Sequence, residues 1–155
     1  MRQRAAIATV AFVVAVSAAA FAQKTDFSGT WTLDAEASQL PGGGGGRGMM
    51  AGPITVKQTT DTLIVERTFG DNKATFNYKL DGSESTNSMR GRGGQTVEAR
   101  SVAKWDGSKL VITTKRDMGG NTVETTETWS LSDGVLTIES TGGRGPSKRV
   151  YKKTT

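Results

Sequence analysis

The sequence contains no cysteine and no histidine, and these two absences exclude several kinds of chemistry. Without histidine the chain has no Ser–His–Asp triad, no imidazole base that titrates near neutral pH and no histidine-ligated zinc. Without cysteine it has no thiol nucleophile, disulfide, iron–sulfur cluster or lipoprotein anchor. The side chains left for catalysis or binding are carboxylates, hydroxyls, lysine and arginine.

A long hydrophobic run occurs only at the start of the chain. Arg2 and Arg4 precede an apolar stretch from Ala5 to Ala22, which closes on the small-x-small sequence Ala20-Phe21-Ala22. This pattern is typical of a secretory signal peptide, although an uncleaved membrane anchor has a similar length. We therefore predict a signal peptide over residues 1–22 and one exported bacterial domain over residues 23–155, located in the periplasm or outside the cell.

Helix-forming patterns are scarce after residue 22, and short alternating segments take their place. Asp-Gly pairs begin at Asp81, Asp106 and Asp133, and this dipeptide favours tight hairpin turns because it tolerates positive φ. Between Ala74 and Leu80, apolar residues alternate with polar ones, which is the period of a strand with one buried face. The predicted strands are Thr30–Leu33, Ile54–Gln58, Leu63–Phe69, Ala74–Leu80, Glu84–Met89, Thr96–Trp105, Lys109–Arg116, Thr122–Leu131, Val135–Ser140 and Lys148–Lys152.

Successive hairpins with one apolar and one polar face predict an antiparallel meander, and closing it into a barrel removes the exposed edges. We therefore predict an all-β fold, a single up-and-down barrel of about 8–10 strands with glycine-rich loops. Hydrophobic residues are few outside the apolar run, so we expect either partly disordered segments or an interior that is partly polar and wet. The predicted inward positions are Trp31, Val56, Val65, Phe76, Tyr78, Ala99, Trp105, Ile112, Trp129, Ile138 and Tyr151.

Three glycine-rich stretches interrupt the strands, at residues 42–52, 91–94 and 142–145, and each carries arginine. The first predicts a flexible loop over residues 38–52. It lacks the Lys-Ser/Thr pair of a phosphate-binding loop, and three short Arg-Gly clusters on an exported chain do not favour nucleic-acid binding. Weak association with an anionic membrane surface is the alternative role for these arginines.

The two ends of the domain carry short recognisable motifs. Gly29-Thr30-Trp31 opens it and Arg149-Val150-Tyr151 closes it, with hairpin sequences at Trp105–Val111 and Leu131–Leu136 between them. Together these motifs resemble the calycin superfamily of lipocalins and fatty-acid-binding proteins, which open with Gly-x-Trp. The fatty-acid-binding proteins end with Arg-x-Tyr on the last strand. The resemblance covers most of residues 23–155 and implies a lipocalin-like barrel with an internal ligand.

The resemblance implies that Arg149 and Tyr151 point inward and bind a ligand carboxylate. The alternative, taken from lipocalins, is that Arg149 packs over the indole of Trp31 and closes the barrel. The family's second ligand-binding arginine falls near Trp129, so Arg67 or Arg116 would have to replace it. The helical lid of the family is also replaced, here by a glycine-dominated segment over residues 35–51. The predicted ligand-binding residues are Arg149, Tyr151, Arg116, Arg67, Trp129 and Tyr78.

The sequence therefore predicts an exported, monomeric binding protein for a small hydrophobic or amphipathic ligand, including an anionic one. It is not expected to be an enzyme: it has no Gly-x-Ser-x-Gly motif, and its acidic residues are scattered over strands and turns. No cofactor, metal or nucleic-acid partner is predicted. The alternative function is that of a glycine-rich, envelope-associated or stress-related β domain without a small-molecule ligand.

Overall fold

A computed structural model describes residues 23–41, 52–69, 72–90, 94–143 and 145–154. The predicted signal peptide over residues 1–22 lies outside the described residues, as do residues 42–51 of the predicted glycine-rich loop. Among the residues described, no helix is long and apolar enough to cross a membrane.

The described chain folds into ten strands that form one antiparallel sheet. Their order in the sheet is β4-β3-β2-β1-β10-β9-β8-β7-β6-β5, so every two strands that follow one another in sequence pair, except β4 and β5 at the two edges, and the first strand pairs with the last. This confirms the predicted all-β meander, and every predicted strand is present within two residues of its predicted ends. The strands are β1 (Gly29–Leu33), β2 (Ile54–Gln58), β3 (Thr62–Phe69), β4 (Asn72–Lys79), β5 (Glu84–Arg90), β6 (Thr96–Asp106), β7 (Lys109–Met118), β8 (Asn121–Ser132), β9 (Val135–Gly142) and β10 (Ser147–Lys153).

Local turn chemistry fixes the register of these hairpins. Ser132 pairs with Val135, which leaves Asp133 and Gly134 as a two-residue turn with φ values of 52° and 74°. Positive φ at both central positions is what a type I′ turn needs, and this turn follows the twist of the flanking strands. The Asp-Gly pair at this position therefore forms the hairpin that the sequence predicted.

The sheet curls until its two edge strands, β4 and β5, meet, and side chains complete the barrel there. The main-chain N–H of Asn77 donates to Asn87 Oδ1 at 2.7 Å, and Asn87 Nδ2 donates back to the carbonyl oxygen of Asn77 at 3.0 Å. The N–H of Lys79 donates to Ser85 Oγ at 2.8 Å. Polar side chains on β5 thus take the place of main-chain partners, which makes the barrel nearly closed.

One end of the barrel, called here the plugged end, is covered by residues 25–28. Phe27 is fully buried, stacks on Trp105 at 6.1 Å between ring centroids and meets Trp129 edge-on at 5.7 Å. Gln58 holds this segment by accepting from the N–H of Phe27 and donating to the carbonyl oxygen of Thr25. The apolar core lies directly behind the plug. All predicted inward positions are buried except Trp105, which is partly buried, and all but Ala99 belong to this core or pack against it.

The opposite end is called here the mouth. The strand ends that flank the three glycine-rich stretches, such as Leu33, Arg90 and Gly142, all lie at this end because the chain runs up and down. Inward-facing side chains of this half keep partial exposure; those of Arg67 and Glu127 are 12% and 18% exposed. Solvent therefore reaches the inner face of the barrel in this half.

Candidate functional site

Three inward-facing charged side chains meet at mid-depth in the barrel. Arg149 lies on β10, Glu127 on β8 and Arg67 on β3, and strand alternation points all three inward. Arg149 is 1% exposed, although arginine is almost never fully buried unless it is paired. These three residues are called here the ion cluster.

Glu127 is the centre of the ion cluster. Its Oε1 accepts a short hydrogen bond from Arg149 Nη2, and its Oε2 lies 3.5 Å from Arg67 Nη2. Trp129 Nε1 also donates to Glu127 Oε2, at 3.2 Å. Arg149 Nη2 makes a second contact, 3.2 Å to Ser140 Oγ on β9. One carboxylate thus ties β3, β8 and β10 together inside the barrel.

The ion cluster holds Glu127 in its charged form. Burial raises the pKa of this carboxyl group, but the positive charges of Arg149 and Arg67 more than offset burial and bring the pKa to about 2. Burial also opposes the charge on Arg149, yet Glu127 and Tyr151 raise its pKa above the ordinary value. With two guanidinium groups and one carboxylate, the ion cluster keeps one excess positive charge.

The lowered pKa of Glu127 predicts a specific loss of stability in acid. A carboxyl group with a folded pKa of about 2 and an ordinary pKa of 4.5 contributes its full stabilisation above pH 4.5. That contribution disappears as the pH falls from about 4.5 to about 2, and the shift corresponds to about 3 kcal/mol. Urea unfolding at a series of pH values measures it. Glu127→Gln keeps every other carboxyl group, so its free energy of unfolding should fall less steeply across this window; equal slopes would contradict the assignment.

Two tyrosines lie beside the ion cluster. Tyr151, two residues after Arg149 on the inner face of β10, is 1% exposed and contributes to the raised pKa of Arg149. Tyr78 on β4 is 7% exposed; burial and then the charge of Glu127 raise the pKa of its hydroxyl to about 12. Both predicted tyrosines therefore sit near Arg149, and Tyr78 stays protonated as a hydrogen-bond donor at any ordinary pH.

The alternative role for Arg149, packing over Trp31, is not what the structure shows. The cation over the Trp31 ring is Lys153, whose Nζ lies 5.7 Å from the ring centroid. A Cβ at Gly29 would lie 2.8 Å from Lys153 Cε, so glycine in the Gly-x-Trp motif makes room for this lysine. Arg149 instead points to Glu127, because an arginine buried this deeply needs a carboxylate partner.

Arg67 and Arg116 were both predicted as replacements for the family's second arginine, and the structure separates them. Arg67 joins the ion cluster through Glu127. Arg116, on β7, is not among the charges that shift the pKa of Glu127, and its Nε is buried without a hydrogen-bond partner among the described residues. Arg116 therefore does not join the ion cluster, and its role in ligand binding stays a prediction. Trp129, where the family's second arginine was expected, is fully buried and holds Glu127 instead.

Sequence reasoning missed Glu127 as a site residue. It grouped Glu127 with acidic residues scattered over strands, because charged residues on strands usually face solvent. The signal that could have identified it is strand alternation. Glu127 lies two residues before Trp129, so both share the inner face of β8. A carboxylate on the same face as a predicted core tryptophan indicates a buried charge that needs a cationic partner.

Comparison with solved structures gives several barrels of the same shape. The fluorescent protein UnaG is 23% identical to this chain, with a TM-score of 0.60 over 83% of this chain and 97% of UnaG. The fatty acid transporter REP1-NXSQ is 14% identical, with a TM-score of 0.61 over 83% of this chain and 96% of the transporter. Human cRBP IV is 18% identical, with a TM-score of 0.60 over 84% of this chain and 99% of that protein.

These likenesses show that the chain has the calycin fold, the ten-stranded barrel of the fatty-acid-binding-protein type. The resemblance predicted from Gly29-Thr30-Trp31 and Arg149-Val150-Tyr151 is thereby confirmed at the level of the fold. No protein-family model matches the sequence, and no curated protein sequence matches it.

Proposed function

We propose that this protein binds a small hydrophobic or amphipathic ligand inside its barrel and holds an acceptor group of that ligand, such as a carboxylate, at Arg149. The observation that carries the proposal is the state of Arg149. Its Nη2 donates to Glu127 and Ser140, while its Nε is buried without a partner among the described residues. A buried donor left without an acceptor costs about 1–3 kcal/mol, and a ligand oxygen at this position removes that cost.

The surroundings of Arg149 support an anionic or strongly accepting group. The ion cluster keeps one excess positive charge, and the hydroxyl groups of Tyr151 and Tyr78 lie beside it. Four buried polar side-chain atoms lack a partner in the described part of the chain, and three of them are N–H donors that cannot accept. An interior with surplus donors and apolar walls suits an apolar molecule with acceptor oxygens.

Two observations support a carrier rather than an enzyme. The similar barrels include a protein described as a fatty acid transporter. Solvent reaches the inward side chains of Arg67 and Glu127, which is compatible with a ligand that enters and leaves the interior. Export remains part of the proposal on the strength of the sequence of residues 1–22, and we propose that the exported protein works as a monomer.

The experiment that tests this function compares decanoate with decanol, which has the same chain and no charge. In the double variant Arg149→Met, Glu127→Met, apolar side chains of similar length replace the ion pair, and such exchanges usually preserve the fold. We expect the double variant to lose about 10- to 100-fold in decanoate affinity, which is the effect of a charge-assisted hydrogen bond. Decanol affinity should change by less than about threefold on this scale. Calorimetric titration measures both.

The matched control is Arg100→Met, because Arg100 is exposed on the outer face of β6. It removes an arginine charge from the outer surface and should leave both affinities unchanged. If the double variant binds decanoate as the wild type does, Arg149 is not the acceptor site. If the wild type binds neither decanoate nor decanol, the carrier function is wrong, and the envelope-associated domain without a ligand becomes the better description.

A further inference from the structure

A second inward-facing group of donors lies nearer the mouth. Arg116 on β7 is opposite Val123 in the ladder to β8, and Thr125 is opposite Thr114. Arg116 and Thr125 are therefore diagonal neighbours on the inner face, within reach of one another's long side chains. Both have a buried atom without a partner among the described residues, Arg116 Nε and Thr125 Oγ1.

The neighbouring polar side chains do not share this condition. Ser101 Oγ and Thr114 Oγ1 lie 2.8 Å apart and satisfy each other. Their pairing shows that the inner face here is packed closely enough for hydroxyl groups to find partners. In this part of the inner face, Arg116 and Thr125 thus differ from their polar neighbours. A buried polar atom without a hydrogen-bond partner is rare in native proteins and calls for an explanation.

The positive charge of Arg116 is not neutralised from the adjacent strand positions. Asp117 is exposed and accepts a hydrogen bond from Thr122 at 2.8 Å. Glu124 is also exposed and lies 3.5 Å from Lys115 Nζ on the outer face. Glu127, the inward carboxylate of β8, has its pKa set by Arg149 and Arg67. The inner face near the mouth therefore carries a cation whose neighbouring carboxylates are used elsewhere.

Gly143, in the turn after β9, lies beside this pair. A Cβ added there would be 3.4 Å from Thr125 Oγ1 and 3.9 Å from Val123 Cγ1. Since Arg116 and Thr125 are both only partly buried, a ligand that enters through the mouth passes them before it reaches the ion cluster.

We propose that Arg116 and Thr125 form a second, outer acceptor-binding position, and that the ligand is an elongated apolar molecule with an acceptor group at each of two points, a dicarboxylate in its simplest form. This rests on the proposed function, since the inner group binds at Arg149. The two positions are separated by two to four residues along β8, from Glu127 to Thr125 and Val123, or about 7–14 Å. Each position has one excess positive charge, so a dianion complements the pair.

The test compares decanedioate with decanoate in the wild-type protein and in Arg116→Met. A second carboxylate without a partner disfavours binding inside a barrel, because its charge loses water. In the wild type, Arg116 compensates for that loss, so the ratio of decanedioate affinity to decanoate affinity should fall at least tenfold in Arg116→Met. Decanoate affinity itself should change by less than about threefold, since its single carboxylate binds at Arg149.

Two further variants make the result specific. Thr125→Val keeps the shape of the side chain and removes the hydroxyl, and it should lower the same ratio by several fold. Arg100→Met, on the outer face, should leave the ratio unchanged. Circular dichroism and thermal unfolding of each variant show whether the barrel is intact, which is expected because neither Arg116 Nε nor Thr125 Oγ1 has a partner to lose.

The outcomes separate the two proposals. A ratio that is the same in the wild type and in Arg116→Met overturns the outer position while decanoate binding at Arg149 stands. The outer position is also overturned if Arg116→Met lowers the affinities for both acids by the same factor. The arginine would then act through the stability of the fold or through the electrostatic field of the whole protein. Absence of binding for both acids in the wild type overturns the carrier function itself.

Discussion

Replacing Glu127 with glutamine is expected to lower the free energy of unfolding by about 3–5 kcal/mol at neutral pH. The side chain of Arg149 is 2% exposed and takes its charge balance from this one carboxylate. Glutamine keeps an acceptor oxygen but removes the negative charge that separates Arg149 from Arg67. The two guanidinium groups then repel each other in a site with little access to water, and this repulsion adds to the loss of the ion pair.

Urea unfolding followed by tryptophan fluorescence measures this change, because Trp129 Nε1 donates to Glu127 and reports on the site. The matched control is Glu124→Gln, three residues earlier on the same strand. Glu124 lies 3.5 Å from Lys115, but both side chains are more than half exposed, so its removal should cost less than about 1 kcal/mol. Similar losses in the two variants would show that the ion cluster does not stabilise the barrel more than a surface ion pair does.

The strands were predictable because their determinants are local. Period-two alternation at 74–80 and Asp-Gly pairs such as Asp133-Gly134 depend on residues that are close in sequence, and each fixes one hairpin. Most of the order of the sheet follows from successive hairpins. Two features do not: β1 pairs with β10, and β4 meets β5 through the side chains of Asn87 and Ser85 instead of a main-chain ladder. The contact between β4 and β5 depends on the twist that accumulates over all the strands of the sheet, and no single residue determines this twist.

The arginines and tyrosines of the candidate site were predictable from the sequence, but Glu127 and the connections between the residues were not. Arg149 and Tyr151 are two residues apart on one strand and were predicted to share its inner face, and the structure places both of them inside the barrel. The partner of Arg149 lies 22 residues away on β8, and its pairing depends on the register of two ladders through β9. The same registers decide that Arg67 reaches the ion cluster. The role of each residue in binding a ligand stays a prediction.

The plug over residues 25–28 is a second feature that sequence reasoning did not identify. Phe27 lies two residues before Gly29-Thr30-Trp31, outside the alternating segments that predict buried positions. Its burial depends on the distant rings of Trp105 and Trp129 and on Gln58, which holds the main chain on both sides of it. Irregular segments carry no periodic pattern, so their packing has to be read from the structure.

Phe27→Ala is expected to lower the free energy of unfolding by about 3–5 kcal/mol, as other large-to-small changes of buried phenylalanine do. The ring is fully buried and packs on two tryptophans, so its removal leaves a cavity at the plugged end. Tryptophan emission should shift to the red in the folded variant, because water reaches Trp105 and Trp129. Phe27→Leu retains most of the apolar volume and should cost less than about 1.5 kcal/mol.

The comparison of these two variants also tests whether the plug seals the barrel. If residues 25–28 close this end, the alanine variant opens a second entrance, and ligand dissociation should become faster even where affinity falls little. The leucine variant should dissociate ligand at the wild-type rate, because it still fills the space beneath the tryptophans. Equal dissociation rates for wild type, leucine and alanine, together with an unchanged emission maximum, would mean that Phe27 stabilises the core without controlling access. The mouth alone would then govern exchange, which places the outer position at Arg116 and Thr125 directly on the exit path.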